Sequence, residues 1–138
     1  MTTITLKGRE IPLLYTVYEM KLIQEEIGPL DSFSYMILGR NKDNEEDRSG
    51  FGKPEHLEAV AKLVSILGNA GLEESGSAPD LTAKKVLRSI KPGQFSDIMS
   101  ACMQAMHEGM ESEIKDEREN EPKDVILEEL ERKKEVTS

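Results

Sequence analysis

Residues 54–72, PEHLEAVAKLVSILGNAGL, decide the fold of this chain. The stretch opens with a proline that suits the first turn of a helix, and apolar residues then recur three or four positions apart. The residues spaced for one buried helix face are Leu57, Val60, Ala61, Val64 and Leu67. Leu63 and Ile66 widen this face, which predicts a helix covered on more than one side. We place the helix from about Pro54 to Ala70 and expect Gly71 to end it in the left-handed conformation.

The composition of the chain favours a helical core. A length of 138 residues suits one domain plus a tail. Only 37% of the residues are hydrophobic and 4% are aromatic, while methionine occurs seven times and tryptophan is absent. We therefore expect an aliphatic, methionine-supplemented core rather than a β-sandwich. The net charge of −9, without a basic stripe, makes nucleic acid and anionic membranes poor partners.

Cysteine content and hydropathy indicate the compartment. The single cysteine excludes an internal disulfide and a cysteine-based zinc site, and it suits a reducing environment. The N-terminus lacks the apolar region of a signal peptide, and no run approaches the roughly 18 apolar residues of a membrane span. These features predict a soluble, cytoplasmic protein.

The first residues predict a β-hairpin. Ile4 and Leu6 alternate with polar residues, as in a half-buried strand. Gly8–Arg9 fits the centre of a two-residue turn with glycine first. Ile11 and Leu13 alternate in a second strand, where the proline between them has no N–H and indicates a sheet edge.

Capping residues mark the starts of the shorter helices. Thr16 and Glu19 form a capping box, which predicts a helix that begins at Thr16. Asp31 or Ser32 would cap a short second helix that stops near Gly39.

Two more helices are predicted after residue 79. Asp80 or Thr82 would cap a helix over 83–90, with Val86, Leu87 and Ile90 facing inward. A final helix is expected from about Pro92 to Ile114. One face of it would carry Phe95, Ile98, Met99, Cys102, Met106 and Met110.

The whole pattern predicts an α+β, mostly α fold. Residues 1–114 would form a single domain of an N-terminal hairpin and about four packed helices, with a long polar loop at 40–53. Residues 115–138 would form a charged tail. This acidic C-terminal tail would include a short amphipathic helix with apolar residues Val125, Ile126, Leu127 and Leu130.

No metal or catalytic motif stands out in the sequence. Asp43, Glu45 and Asp47 alternate like calcium ligands, but the sixth and twelfth positions of such a loop would be Arg48 and Pro54. Calcium loops need glycine and a bidentate glutamate there, so a solvated loop is the better interpretation.

The histidines and the cysteine have no catalytic partners in the sequence. His56 and His107 lack a partner motif, and Cys102 lies on an apolar helix face, so we expect structural roles for these residues. The chain also lacks a phosphate-binding loop and a nucleophile elbow. We therefore assign no catalytic, cofactor-binding or metal residue and predict that the protein is not an enzyme.

Methionines indicate a protein-binding surface. Met99, Met103, Met106 and Met110 fall within twelve residues, and methionine adapts well to irregular partners. The spacing of Met99 and Met106 favours the core, whereas Met103 lies off that face and Met110 lies near the helix end. The candidate partner-binding residues are Met103, Met110, Val125, Leu127 and Leu130.

Several motifs together resemble a known family. They are ITLKGREIP at 4–12, ILGNAGL at 66–72, PDLT at 79–82, IKP at 90–92 and AMHEGM at 105–110. Over residues 3–114 the chain resembles the tail assembly chaperones of long-tailed bacteriophages, as found in phages and prophages of Gram-positive bacteria. The tail from Glu111 onward matches no pattern of the family.

The resemblance implies a non-enzymatic role in the cytoplasm of a bacterial host cell. Such chaperones coat the long, helical tape measure protein until tail tube subunits replace them, and a homo-oligomer is expected. The family commonly makes a longer product by ribosomal frameshifting, and the codons of Lys133 and Lys134 could form the slippery run. The alternatives are a structural adaptor of the phage particle, another protein-binding module or, less favoured, a small enzyme or metal protein.

Overall fold

A computed structural model describes residues 1–41, 43–44 and 46–111. This part of the chain is an antiparallel β-hairpin followed by helices, so the fold is α+β and mostly α, as predicted. In chain order the elements are β1 (Thr3–Leu6), β2 (Arg9–Pro12), α1 (Val17–Glu26), α2 (Leu30–Leu38), α3 (Pro54–Glu74), α4 (Ala83–Ser89), a 3-10 turn (Pro92–Gln94) and α5 (Phe95–Met110).

Helix α3 is the centre of the fold. It packs against α1, α2, α4, α5 and β2, and eleven of its 21 residues are buried. Leu63 and Leu67 are completely inaccessible to solvent, and Ile66 is also buried. The prediction of a helix covered on more than one side is therefore confirmed.

The predicted end of α3 is wrong, because the helix continues past Gly71 to Glu74. A Cβ atom at Gly71 would lie 1.8 Å from the carbonyl oxygen of Pro12, so glycine is required there for close approach of the hairpin. The left-handed glycine is instead Gly76, with a φ of 83°. Ser77 N–H donates to the Leu72 carbonyl at 2.8 Å across that turn, as in a Schellman motif.

The hairpin turn lies one residue earlier than predicted. Its central residues are Lys7 and Gly8, which have φ values of 50° and 77°. Two successive left-handed residues are typical of the turn that matches the twist of paired strands. Ile4 pairs with Ile11, and both side chains are buried against the helices.

The start of α1 is confirmed, whereas the start of α2 differs from the prediction. Thr16 N–H donates to Glu19 Oε1 at 2.9 Å, and the Thr16 hydroxyl bonds to the same oxygen. Helix α2 begins after Pro29 without a side-chain cap, so neither Asp31 nor Ser32 caps it. The helix ends at Gly39, which confirms the predicted stop, and Gly39 has the left-handed conformation.

Helices α4 and α5 are shorter than predicted. Thr82 caps α4, because the Lys85 N–H donates to Thr82 Oγ1 at 3.2 Å. Helix α5 begins at Phe95 after the 3-10 turn, and its described part ends at Met110. Ile114, the domain boundary at 114 and the tail at 115–138 lie outside the described residues.

Candidate protein-binding groove

A buried histidine joins three segments of the fold. His56 lies in the first turn of α3 with only 3% of its surface exposed. Its Nδ1 atom accepts a hydrogen bond from Gly52 N–H at 2.9 Å, and its Nε2 atom lies 2.7 Å from the Ile37 carbonyl oxygen. A carbonyl oxygen can only accept, so the proton of the neutral ring is assigned to Nε2. His56 thus joins α2, the end of the polar loop and α3.

Two phenylalanine rings pack around this histidine. The Phe51 and His56 ring centroids are 4.8 Å apart, and Phe95 meets His56 edge-on at 5.2 Å. Phe51 and Phe95 also contact each other edge-on at 6.0 Å. These arrangements are favourable for aromatic pairs. The packing fixes Phe51 even though 46% of its surface is exposed.

Beside these rings lies an apolar groove between α3, α4 and the start of α5. Its volume is about 380 Å³. The apolar side chains that line it are Phe51, Leu57, Leu87, Ile90, Pro92 and Phe95. Leu87 was predicted to face inward, but 37% of its surface is exposed, so that prediction is wrong. The groove therefore presents apolar surface to solvent.

The sequence around Pro92 produces this groove. A residue before proline is disfavoured in the helical conformation, and Lys91 accordingly has an extended backbone with a ψ of 147°. Ile90 is extended as well, so α4 stops at Ser89 and the chain changes direction before α5. Two separate helices, rather than one long helix, leave the groove between them.

The groove borders a basic segment, residues 81–96. It contains Lys84, Lys85, Arg88 and Lys91 and no acidic residue, in a chain whose net charge is −9. Lys91 lines the groove itself, and the Lys85 ammonium donates to the Asp80 carbonyl at 3.0 Å. Sequence reasoning based on total charge missed this segment. The run without Asp or Glu was the signal that could have revealed it.

Of the predicted partner-binding residues, Met103 and Met110 do not line this groove. Met110 is at the opposite end of α5 from Phe95 and is 73% exposed. Met103 is partly buried and packs against the core, as do Met99 and Met106. The other candidates, Val125, Leu127 and Leu130, lie outside the described residues. Partner binding by all five candidates stays a prediction.

The remaining candidates for chemistry are separate from one another. Cys102 is fully buried, and burial raises the pKa of its thiol to about 12. Asp47 accepts the Ser49 N–H at 2.9 Å, which helps to hold the pKa of this carboxyl below its usual value. Within residues 1–41, 43–44 and 46–111, no three metal-ligating side chains form a group. Glu45, one of the alternating acids, is not among them.

Comparisons with protein-family models, curated proteins and solved structures gave no match. Among the helices of the described residues, none is long and apolar enough to cross a membrane.

Proposed function

We propose that this protein is a non-catalytic tail assembly chaperone of a long-tailed bacteriophage, which binds the helical tape measure protein before the tail tube polymerises. The apolar groove is the observation that carries the proposal. It offers fixed aromatic and aliphatic side chains to solvent at the junction of three helices. An amphipathic helix that lays its apolar side chains into such a groove is a common mode of protein recognition.

The size of the groove favours binding by many copies. A buried leucine or phenylalanine side chain contributes about 1.5–3 kcal/mol, so two client side chains would contribute about 3–6 kcal/mol. The loss of rotational and translational freedom on association offsets much of that. One groove alone would therefore bind weakly, whereas several copies in contact along one client gain affinity from their proximity. A long client coated by an oligomer fits this requirement.

The charge of the protein is compatible with this role. Each bound copy adds a net charge of −9, and mutual repulsion keeps coated clients apart in solution. The resemblance of the sequence motifs within residues 3–114 to those of the chaperone family supports the same proposal, and the tape measure protein is the client that this resemblance implies.

The test is purification of the tagged full chain from phage-producing cells, with the bound proteins identified by mass spectrometry. We expect recovery of a very long, helix-rich tape measure protein. The Leu87→Gln variant should lose it, because this substitution removes apolar surface from the groove. Val17→Gln is the matched control, since Val17 is 76% exposed and lies away from the groove at the start of α1.

Two outcomes would count against the proposal. Recovery of compact capsid or connector subunits would favour a structural adaptor. Equal recovery of the tape measure protein with the Leu87 and Val17 variants would show that the client binds elsewhere.

A further inference from the structure

We propose that residues 124–131 of the chain, DVILEELE, dock into the apolar groove of the same molecule. These eight residues are the tail segment. The inference concerns contacts within one chain, so it does not depend on the identity of any client. It assigns an occupant to the groove in the absence of a partner.

The sequence of the tail segment complements the groove. It contains four apolar and four acidic residues. In a helix, Ile126, Leu127 and Leu130 would share one face, while Asp124, Glu128 and Glu131 would recur at positions i, i+4 and i+7 on another. The apolar face matches the groove lining, and the acidic face would be left at its rim.

The rim of the groove carries the opposite charge. Lys91 lines the groove itself, and Lys84 lies one turn before the exposed Leu87 on α4. The side chains of Lys84 and Lys91 are exposed to solvent, so each ion pair with a carboxylate of the tail segment would be weak by itself. Together these ion pairs favour an acidic segment over a basic one in the groove, and salt should weaken docking because it screens them.

The chain is long enough to reach the groove. Helix α5 runs from Phe95, beside the groove, to Met110, and its 16 residues span about 24 Å. Residues 111–123 connect this helix to the tail segment. A connection of that length extends up to about 40 Å, so the tail segment can return along α5 without full extension.

Disulfide trapping tests the proposal in the full chain. The double variant Leu87→Cys/Leu127→Cys is oxidised mildly, and the products are analysed by non-reducing electrophoresis and mass spectrometry. Cys102 can be kept, because it is fully buried and burial suppresses formation of its thiolate. The control is Val17→Cys/Leu127→Cys. Val17 borders the same cavity as Glu111, where the tail begins, so proximity along the chain favours the control.

We expect the Leu87 pair to form an intramolecular disulfide about ten-fold faster than the Val17 pair, since docking raises the effective concentration of the two thiols. The charge substitutions Lys84→Glu/Lys91→Glu should reduce that rate, and Glu128→Lys/Glu131→Lys in the same chain should restore it. Circular dichroism of each variant establishes that the helices are intact.

Other outcomes overturn the inference. Equal rates for the two pairs would mean that the tail segment has no preference for the groove. A disulfide-linked dimer as the main product would mean that the groove accepts the tail segment of a second copy instead. Trapping that is insensitive to the charge reversals would remove the electrostatic basis of the argument.

Discussion

Replacement of Gly71 by alanine should destabilise the protein by about 3 kcal/mol, although alanine is the better helix former by about 1 kcal/mol. The added Cβ would lie 1.8 Å from the Pro12 carbonyl oxygen, whereas carbon and oxygen approach to about 3.3 Å in ordinary contacts. The hairpin would therefore have to move away from α3 by about 1.5 Å.

That displacement has two costs. Overpacking a close contact costs about 1–3 kcal/mol. The Leu14 N–H donates to the Leu67 carbonyl at 3.1 Å, and loss of this hydrogen bond costs a further 1–3 kcal/mol or so. After the gain in helix propensity is subtracted, about 3 kcal/mol of destabilisation remains, which corresponds to a fall of about 12 °C in Tm.

The assay is urea unfolding followed by circular dichroism at 222 nm. Gly93→Ala is the neutral control, because a Cβ at Gly93 would meet no atom within 4 Å. Asparagine substitutions distinguish a glycine that is needed for close approach from one that is needed for a left-handed turn, since asparagine tolerates the left-handed conformation. Gly76→Asn should be mild, because Gly76 has a φ of 83° and open space around it. Gly71→Asn should destabilise the protein at least as strongly as Gly71→Ala. If Gly71→Ala lowers the free energy of unfolding by less than about 0.5 kcal/mol, the close-approach role of Gly71 is refuted.

Glu19→Ala should lower the free energy of unfolding by about 1–2 kcal/mol in urea titrations, because it removes the acceptor of the capping box, and Glu19→Gln should cost less. His56→Ala should cost about 2–4 kcal/mol in the same assay through two lost hydrogen bonds and the ring contacts, whereas His107→Ala, at a position exposed to solvent, should be neutral. Cys102 should react with a thiol reagent at pH 8 more than about a thousand-fold slower in the folded protein than in urea, because its pKa of about 12 leaves little thiolate. Because folding raises the pKa of the Cys102 thiol, its contribution to the free energy of unfolding is present below about pH 9 and is lost as the pH rises towards 12. Comparable reaction rates in the folded and unfolded protein would contradict the burial of Cys102. Met110→Lys should weaken client binding in the purification assay and leave the circular dichroism unchanged, and unchanged binding would remove Met110 from the partner surface.

Local signals in the sequence predicted the elements well. The capping box at Thr16 and the helix stop at Gly39 are decided within a few residues, so both could be predicted from local sequence. The role of Gly71 depends on the hairpin residue Pro12, which is distant in sequence. Because a helix stop and a close approach of two backbones both favour glycine, the residue type alone could not distinguish them. The sequence therefore identified the residue type that matters but not its reason.

The groove was harder to predict for the same physical reason. Leu87 follows Val86, and both fit an inward-facing pattern on a short helix, yet only Val86 is completely buried. Which apolar residue stays exposed depends on how α4 and α5 separate around Pro92, and this is a property of tertiary packing. The aromatic cluster also joins Phe51 to Phe95 across residues that are far apart in sequence.

The contacts of the hairpin determine when it can reach its final packing during synthesis. The hairpin is synthesised before the helices, but it packs against α3, and the Leu14 N–H donates to the Leu67 carbonyl. The Thr2 hydroxyl donates to Glu108 Oε1 at 2.7 Å. A two-stranded hairpin alone is marginal in water. At about 5–20 residues per second, synthesis of the roughly 100 residues between Thr2 and Glu108 takes about 5–20 s. The hairpin thus leaves the ribosome well before the helices that cover it, and its apolar face is uncovered during that interval.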